Sequence, residues 1–173
     1  MQRVTLLEQL PVDLNRGIGR VISAHALLEH HLGACIATLT GLGHKERRLV
    51  LAEMTRSETR LQIIKSLISV HNLNVAIPAP LTGTNLKRIR EDRNLLAHGV
   101  WTDTAQGYAV IQTAGEWPKE SGLGSRKIKP AAVTTDATAL DALLATITGL
   151  RKAAEQLRDR VDAALAVSPR KPR

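Results

Sequence analysis

EDRNLLAHGVW, residues 91–101, is where a charged, leucine-bearing helix gives way to something else. Working back, Thr84 is the expected N-cap of this helix, TNLKRIREDRNLLAH, and Gly99 its expected C′ residue. At 100° per residue Leu86, Ile89 and Leu96 share one side, and Arg93 falls among them. An arginine on an apolar face is rarely buried unpaired, because desolvating the charge costs several kcal/mol. Arg93 therefore either meets a carboxylate, such as Glu29 or Asp92, or lies at an opening between subunits.

The same period organises the rest of the chain. Val21, His25, Leu28, Leu32, Cys35 and Leu39 recur at three- and four-residue steps and predict a first long helix over 16–40, broken by GLGH at 41–44. A second helix is expected over about 45–55, and a third from Ser57, with Arg60 in its first turn and Leu61, Ile64, Leu67, Ile68 and His71 on its buried side. Pro78 and Pro80 set a loop before the fourth. After it VWTDTAQGYAVIQ alternates around a Gly-containing turn, which reads as a β-hairpin. Leu140, Leu143, Leu144, Ile147, Leu150, Leu157, Val161 and Leu165 mark a closing helix over about 136–166.

The expected fold is thus an all-α up-and-down bundle of four or five helices, with a small β insertion at about 100–135 before the last long helix. An N-terminal arm over 1–15 and a disordered basic tail over 168–173 flank the domain of 16–167.

Composition agrees. With 173 residues the chain has room for one sizeable core. Aromatics make up 2%, with no Phe, so Leu, Ile, Val and Ala must fill that core, which favours helix. The single cysteine, Cys35, sits between Leu32, Ile36 and Leu39 and reads as a small buried residue of a reducing compartment. No signal-peptide run and no stretch of about 18 apolar residues appears, so a cytoplasmic protein without membrane contact is expected. The net charge of +8 suggests a polyanionic partner, although part of the excess lies in the tail SPRKPR.

His98 follows Arg93 by five residues, about 140° around the helix, so the two side chains do not share a face. It lies in the last turn, where the carbonyl ends favour a positive charge. Its bland role is to cap those carbonyls; its chemical role is to take up and return protons. Elsewhere His25, Glu29, His30 and His31 crowd one helix, without an HExxH or clustered cysteines, so no metal site is expected and no cofactor is implied. GLG at 41–43 and 122–124 lacks the setting of a phosphate loop.

Arg93, four intervening residues and His98 resemble the Rx4-6H motif of the HEPN superfamily, with a polar residue, Asn94, directly after the arginine. The longer RNLLAHGVW is similar to the RN-x-(L/I)-AHG-x-W segment of small single-domain HEPN-like proteins. The first helix, with Glu29, is similar in style. The likeness follows the helix order over about 16–165 but is specific only over 90–101. A second RxxxxH, Arg20 to His25, lies inside a helix without the following Asn or the terminating glycine and reads as an accident.

The resemblance implies a two-fold homodimer whose motif helices meet, so that two Arg93 and two His98 line one cleft. It implies a metal-independent endoribonuclease, of the kind used as toxins or in phage defence, with an antitoxin as a further partner. His98 would be the general acid or base and Arg93 the phosphate ligand, supported by Asn94, Glu29 and Arg90. Lys87 and Arg88 would follow the RNA backbone. Trp101 would either stack a base or, the favoured reading, pack the hairpin on the bundle. The alternative is a non-catalytic HEPN-like dimer: a scaffold, or a module that binds nucleic acid or nucleotide.

Overall fold

Two long amphipathic helices form the frame. A computed structural model of the chain describes residues 10–104, 107–111, 133–135 and 137–167. The basic tail, the first nine residues of the arm and residues 112–132 of the insertion lie outside the described residues. Helix α1 spans Val12–Thr40 and α5 spans Ala137–Val167; between them come α2 (His44–Glu53), α3 (Ser57–Val70) and α4 (Gly83–His98).

Helix α1 starts four residues earlier than its periodicity suggested, within the expected arm. Pro11 stands just before it and needs no donor partner, and its carbonyl accepts from the Asn15 amide at 2.9 Å. The extra turn is held by burial of Leu14. At the other end Gly41 adopts φ 66° and its amide donates to the Ala37 carbonyl, a left-handed stop that suits glycine.

Val21, Leu28, Leu32, Cys35 and Ile36 of α1 meet a core to which α5 adds Ile147, Leu150, Ala153, Ala154, Leu157 and Val161. Each large aliphatic side chain buried there contributes about 1.5–3 kcal/mol. The two helices run parallel: Arg20 reaches Asp141 at 3.7 Å near their starts, and the charges of Arg158, Asp159 and Asp162 act on Cys35 further along. Burial pushes the Cys35 thiol up to about 12, so it is a packing group and not a nucleophile.

Helix α4 begins at Gly83, not after Thr84. Its cap is Thr82, whose hydroxyl accepts from the Asn85 amide at 3.1 Å, because a proline-set turn ending at Leu81 places the chain for that residue. Gly99 ends the helix in extended backbone (φ −73°, ψ 154°), with its amide on the Leu95 carbonyl at 2.8 Å. The helix therefore stops by running straight into a strand, without a left-handed cap.

That strand, β1 (Val100–Thr104), pairs antiparallel with β2 (Gly107–Ile111), with Trp101 opposite Val110; β3 (Val133–Thr135) adds to the far edge of β2. Trp101 and Val110 are buried in the common core, which ties the sheet to the bundle. No helix among the described residues is long and apolar enough to cross a membrane.

Candidate functional site

The motif residues are split by the helix that carries them. Arg93 is half-buried and turned inward, Asn94 is half-buried, and His98 is exposed in the last turn of α4. The two side chains of Arg93 and His98 are not brought together within one chain, as the angle of about 140° requires.

What Arg93 faces is a polar cluster inside the bundle. His25 of α1 is 1% exposed, and its Nε2 has no hydrogen-bond partner among the described residues. Its Nδ1 lies 3.9 Å from Glu29 Oε2. Burial pushes the His25 pKa below its ordinary value; Glu29 opposes the shift, and the charges of Arg93, Arg60 and Arg90 add to it. His25 is therefore a neutral imidazole surrounded by three guanidinium groups and one carboxylate.

The other members are tied off. The hydroxyl of Ser57, fully buried at the start of α3, donates to Glu29 Oε1 at 3.1 Å. Arg60 donates to the backbone carbonyls of Glu29 (2.9 Å), Leu51 (3.2 Å) and Met54 (2.9 Å), so one side chain clamps the end of α2 against α1. Arg90 grips Glu58 of α3 with two parallel bonds, Nε to Oε2 at 3.2 Å and Nη2 to Oε1 at 2.9 Å. Burial alone would raise the Glu58 pKa. Hydrogen bonds from Arg90 and from its own backbone, with the charges of Arg90 and Arg56, outweigh burial and hold it low.

Arg93 is the exception: it has no ion pair or hydrogen bond among the described residues. The carboxylates expected to meet it are engaged elsewhere, Glu29 by Ser57 and His25, and Asp92 by Arg88 at 4.0 Å beside the cleft to α5. The cluster thus keeps one uncompensated, half-buried positive charge.

Other predicted residues separate in the same way. Arg90 serves α3–α4 cohesion. Lys87 and Arg88 are exposed, each one turn from an acidic partner on its own helix, Glu91 and Asp92, at 4.0 Å. Trp101 is 7% exposed and presents no free face for a base. No group of three or more His, Cys, Asp or Glu among the described residues is arranged to hold a metal ion.

Two cavities flank these elements, and neither is lined by Arg93, Asn94 or His98. One, of about 610 Å³, is an apolar cleft between α4 and α5, with Leu95 and Leu96 facing Leu140, Leu143 and Leu150. The other, of about 400 Å³, lies between α1 and α2 and is lined by charged and apolar side chains together. Leu95 is about 160° around α4 from Arg93, but Leu96 is only about 60° away, so the apolar cleft borders the Arg93 face without including it.

Sequence reasoning missed Ser57, Glu58 and Arg60. Their partners lie 28, 32 and 31 residues away, and no local pattern announces such contacts. The His25–Glu29 spacing was the one visible signal. No protein-family model, curated protein or solved structure matches this chain.

Proposed function

We propose that the protein is a metal-independent endoribonuclease of HEPN type acting as a homodimer, in the manner of a toxin or phage-defence component. The single observation that carries this reading is Arg93, an uncompensated and half-buried cation on the helix that ends in an exposed His98. A guanidinium without a carboxylate partner is free for a phosphodiester, and its surroundings strengthen the attraction.

In this reading a two-fold axis brings a second α4 alongside the first, so that Arg93 of one chain serves with His98 of the other. His98 removes the proton from a ribose 2′-hydroxyl, which attacks the adjacent phosphorus. Arg93 stabilises the charge that develops on the phosphoryl oxygens, and the 5′-oxygen leaves with a proton from the second imidazole. The products carry 2′,3′-cyclic phosphate and 5′-hydroxyl ends.

The second reading, a non-catalytic dimeric scaffold or nucleic-acid or nucleotide binder, is favoured by a different observation: neither cavity contains a motif residue. One experiment separates the two. Purified protein is incubated with mixed single-stranded RNA in EDTA beside His98→Ala and Arg93→Ala. The ribonuclease reading expects cyclic-phosphate ends and a loss of about 10²–10⁴-fold in His98→Ala, with fold and dimer intact. Inactive wild-type protein, with both variants unfolded or monomeric, leaves the scaffold.

A further inference from the structure

The cleft between α1 and α2 carries a second concentration of positive charge. It is lined by Glu29 and His30 of α1, Arg47, Arg48 and Leu51 of α2, and Arg60 of α3. Arg47 is half-buried and Arg48 exposed, and neither has an ion pair or hydrogen bond among the described residues. The one carboxylate present is drawn away from the opening, Oε1 toward the Ser57 hydroxyl and Oε2 toward His25. Arg60 is spent on three carbonyls, which leaves Arg47, Arg48 and the His30 imidazole as the groups free to meet a ligand.

The cleft is also a built one. Helix α2 comes close enough to α1 that a Cβ on Gly33 would meet Leu51 Cδ1 at 2.7 Å. The Arg60 clamp fixes the end of α2 at the same place. Two adjacent arginines are thus held over a cavity of about 400 Å³, room for a tetrahedral anion with its attached groups but little for a folded partner. Forked guanidinium donors match phosphate oxygens in pairs, a geometry that lysine does not offer.

We propose that this cleft binds phosphate groups through Arg47, Arg48 and His30. Its occupant in the working protein is a phosphate of a single-stranded RNA whose scissile bond lies at Arg93, a part of the inference that rests on the ribonuclease reading. Glu29 links the two places: it lines the cleft, and it pairs with His25, on which the Arg93 charge acts. Such contacts read the backbone and not the bases, so the cleft adds affinity and register without sequence preference.

The test is a binding measurement that needs no cleavage. Two probes are titrated into the intact protein: inorganic triphosphate, and a labelled single-stranded 2′-O-methyl oligonucleotide, which lacks the attacking hydroxyl. The double variant Arg47→Gln/Arg48→Gln is compared with Arg16→Gln/Arg20→Gln. The control removes the same charge from exposed positions on α1, whose nearer member is ten residues, or about 15 Å, from His30. The cleft variant is expected to bind both probes about tenfold more weakly, against less than about threefold for the control. The slope of log K against log salt for the oligonucleotide should flatten by about 1.4, at about 0.7 per single-strand phosphate contact. Equal losses in the two double variants, or none in the cleft variant, would overturn the site. Triphosphate binding that the cleft variant loses, with no oligonucleotide binding by wild type, upholds the phosphate site and removes the RNA reading instead.

Discussion

The chain contains the same spacing twice, Arg20 to His25 in α1 and Arg93 to His98 in α4, and the two copies are turned inside out relative to each other. In α1 the histidine is buried and the arginine lies in solvent beside Asp141. In α4 the arginine points inward and the histidine is exposed. Five residues rotate a helix by about 140°, so one end of the pair must leave the face the other occupies. The inward ends then influence each other: the Arg93 charge helps to lower the His25 pKa. A motif defined by spacing alone says nothing about which member is accessible, and accessibility decides which can do chemistry. The α1 copy, an accident by its sequence context, still supplies the residue that Arg93 faces.

The contrast can be broken most severely at the arginine that holds α4 in place. Arg90→Ala leaves Glu58, 22% exposed, without its two charged hydrogen bonds, at a cost of about 2 kcal/mol. Thermal melts should fall by about 4–8 °C, and a smaller change would mean that α4 is oriented by its apolar contacts alone.

A second change sharpens the contrast at His25. The imidazole pKa is lowered on folding, so below its ordinary value of 6.5 the unfolded chain binds more protons than the native one. Stability is therefore full above about pH 6.5 and declines as pH falls toward the depressed native value. His31, lowered mainly by burial, acts in the same direction. His25→Leu should match wild type at pH 8, since it removes a buried nitrogen without a partner, and should lose less stability on going to pH 5. Equal acid sensitivity in the two proteins would show that His25 is not the titrating group.

The smallest effect is expected at the outer arginine. Arg20→Ala removes only a 3.7 Å contact between exposed side chains and should move the melting temperature by less than about 2 °C. A larger drop would give the α1 copy a structural weight that its geometry does not suggest.

Much of the bundle was legible because helical period is written locally. Leu28, Leu32 and Ile36 or Leu150, Leu157 and Val161 declare their faces within a turn or two of chain. Helix ends were read less well. Thr82 caps α4 instead of Thr84 because a turn upstream fixes where the backbone becomes helical, and Leu14 lengthens α1 because the assembled core has room for it. The anomaly of Arg93 was also legible, since a charge on an apolar face stands out on any helical wheel.

By itself, then, the sequence determined the helical class, the helix that carries the Arg–His pair, and the angle that keeps its two members apart. Those follow from residue type and from a fixed rotation per residue. Tertiary structure alone decided that Glu58 takes Arg90, that Ser57 takes Glu29, and that Arg60 is spent on the Glu29 carbonyl, leaving Arg93 unneutralised. The physical reason is that charge compensation depends on distance in space, and these partners lie about 30 residues apart along a chain whose packing had first to bring them together.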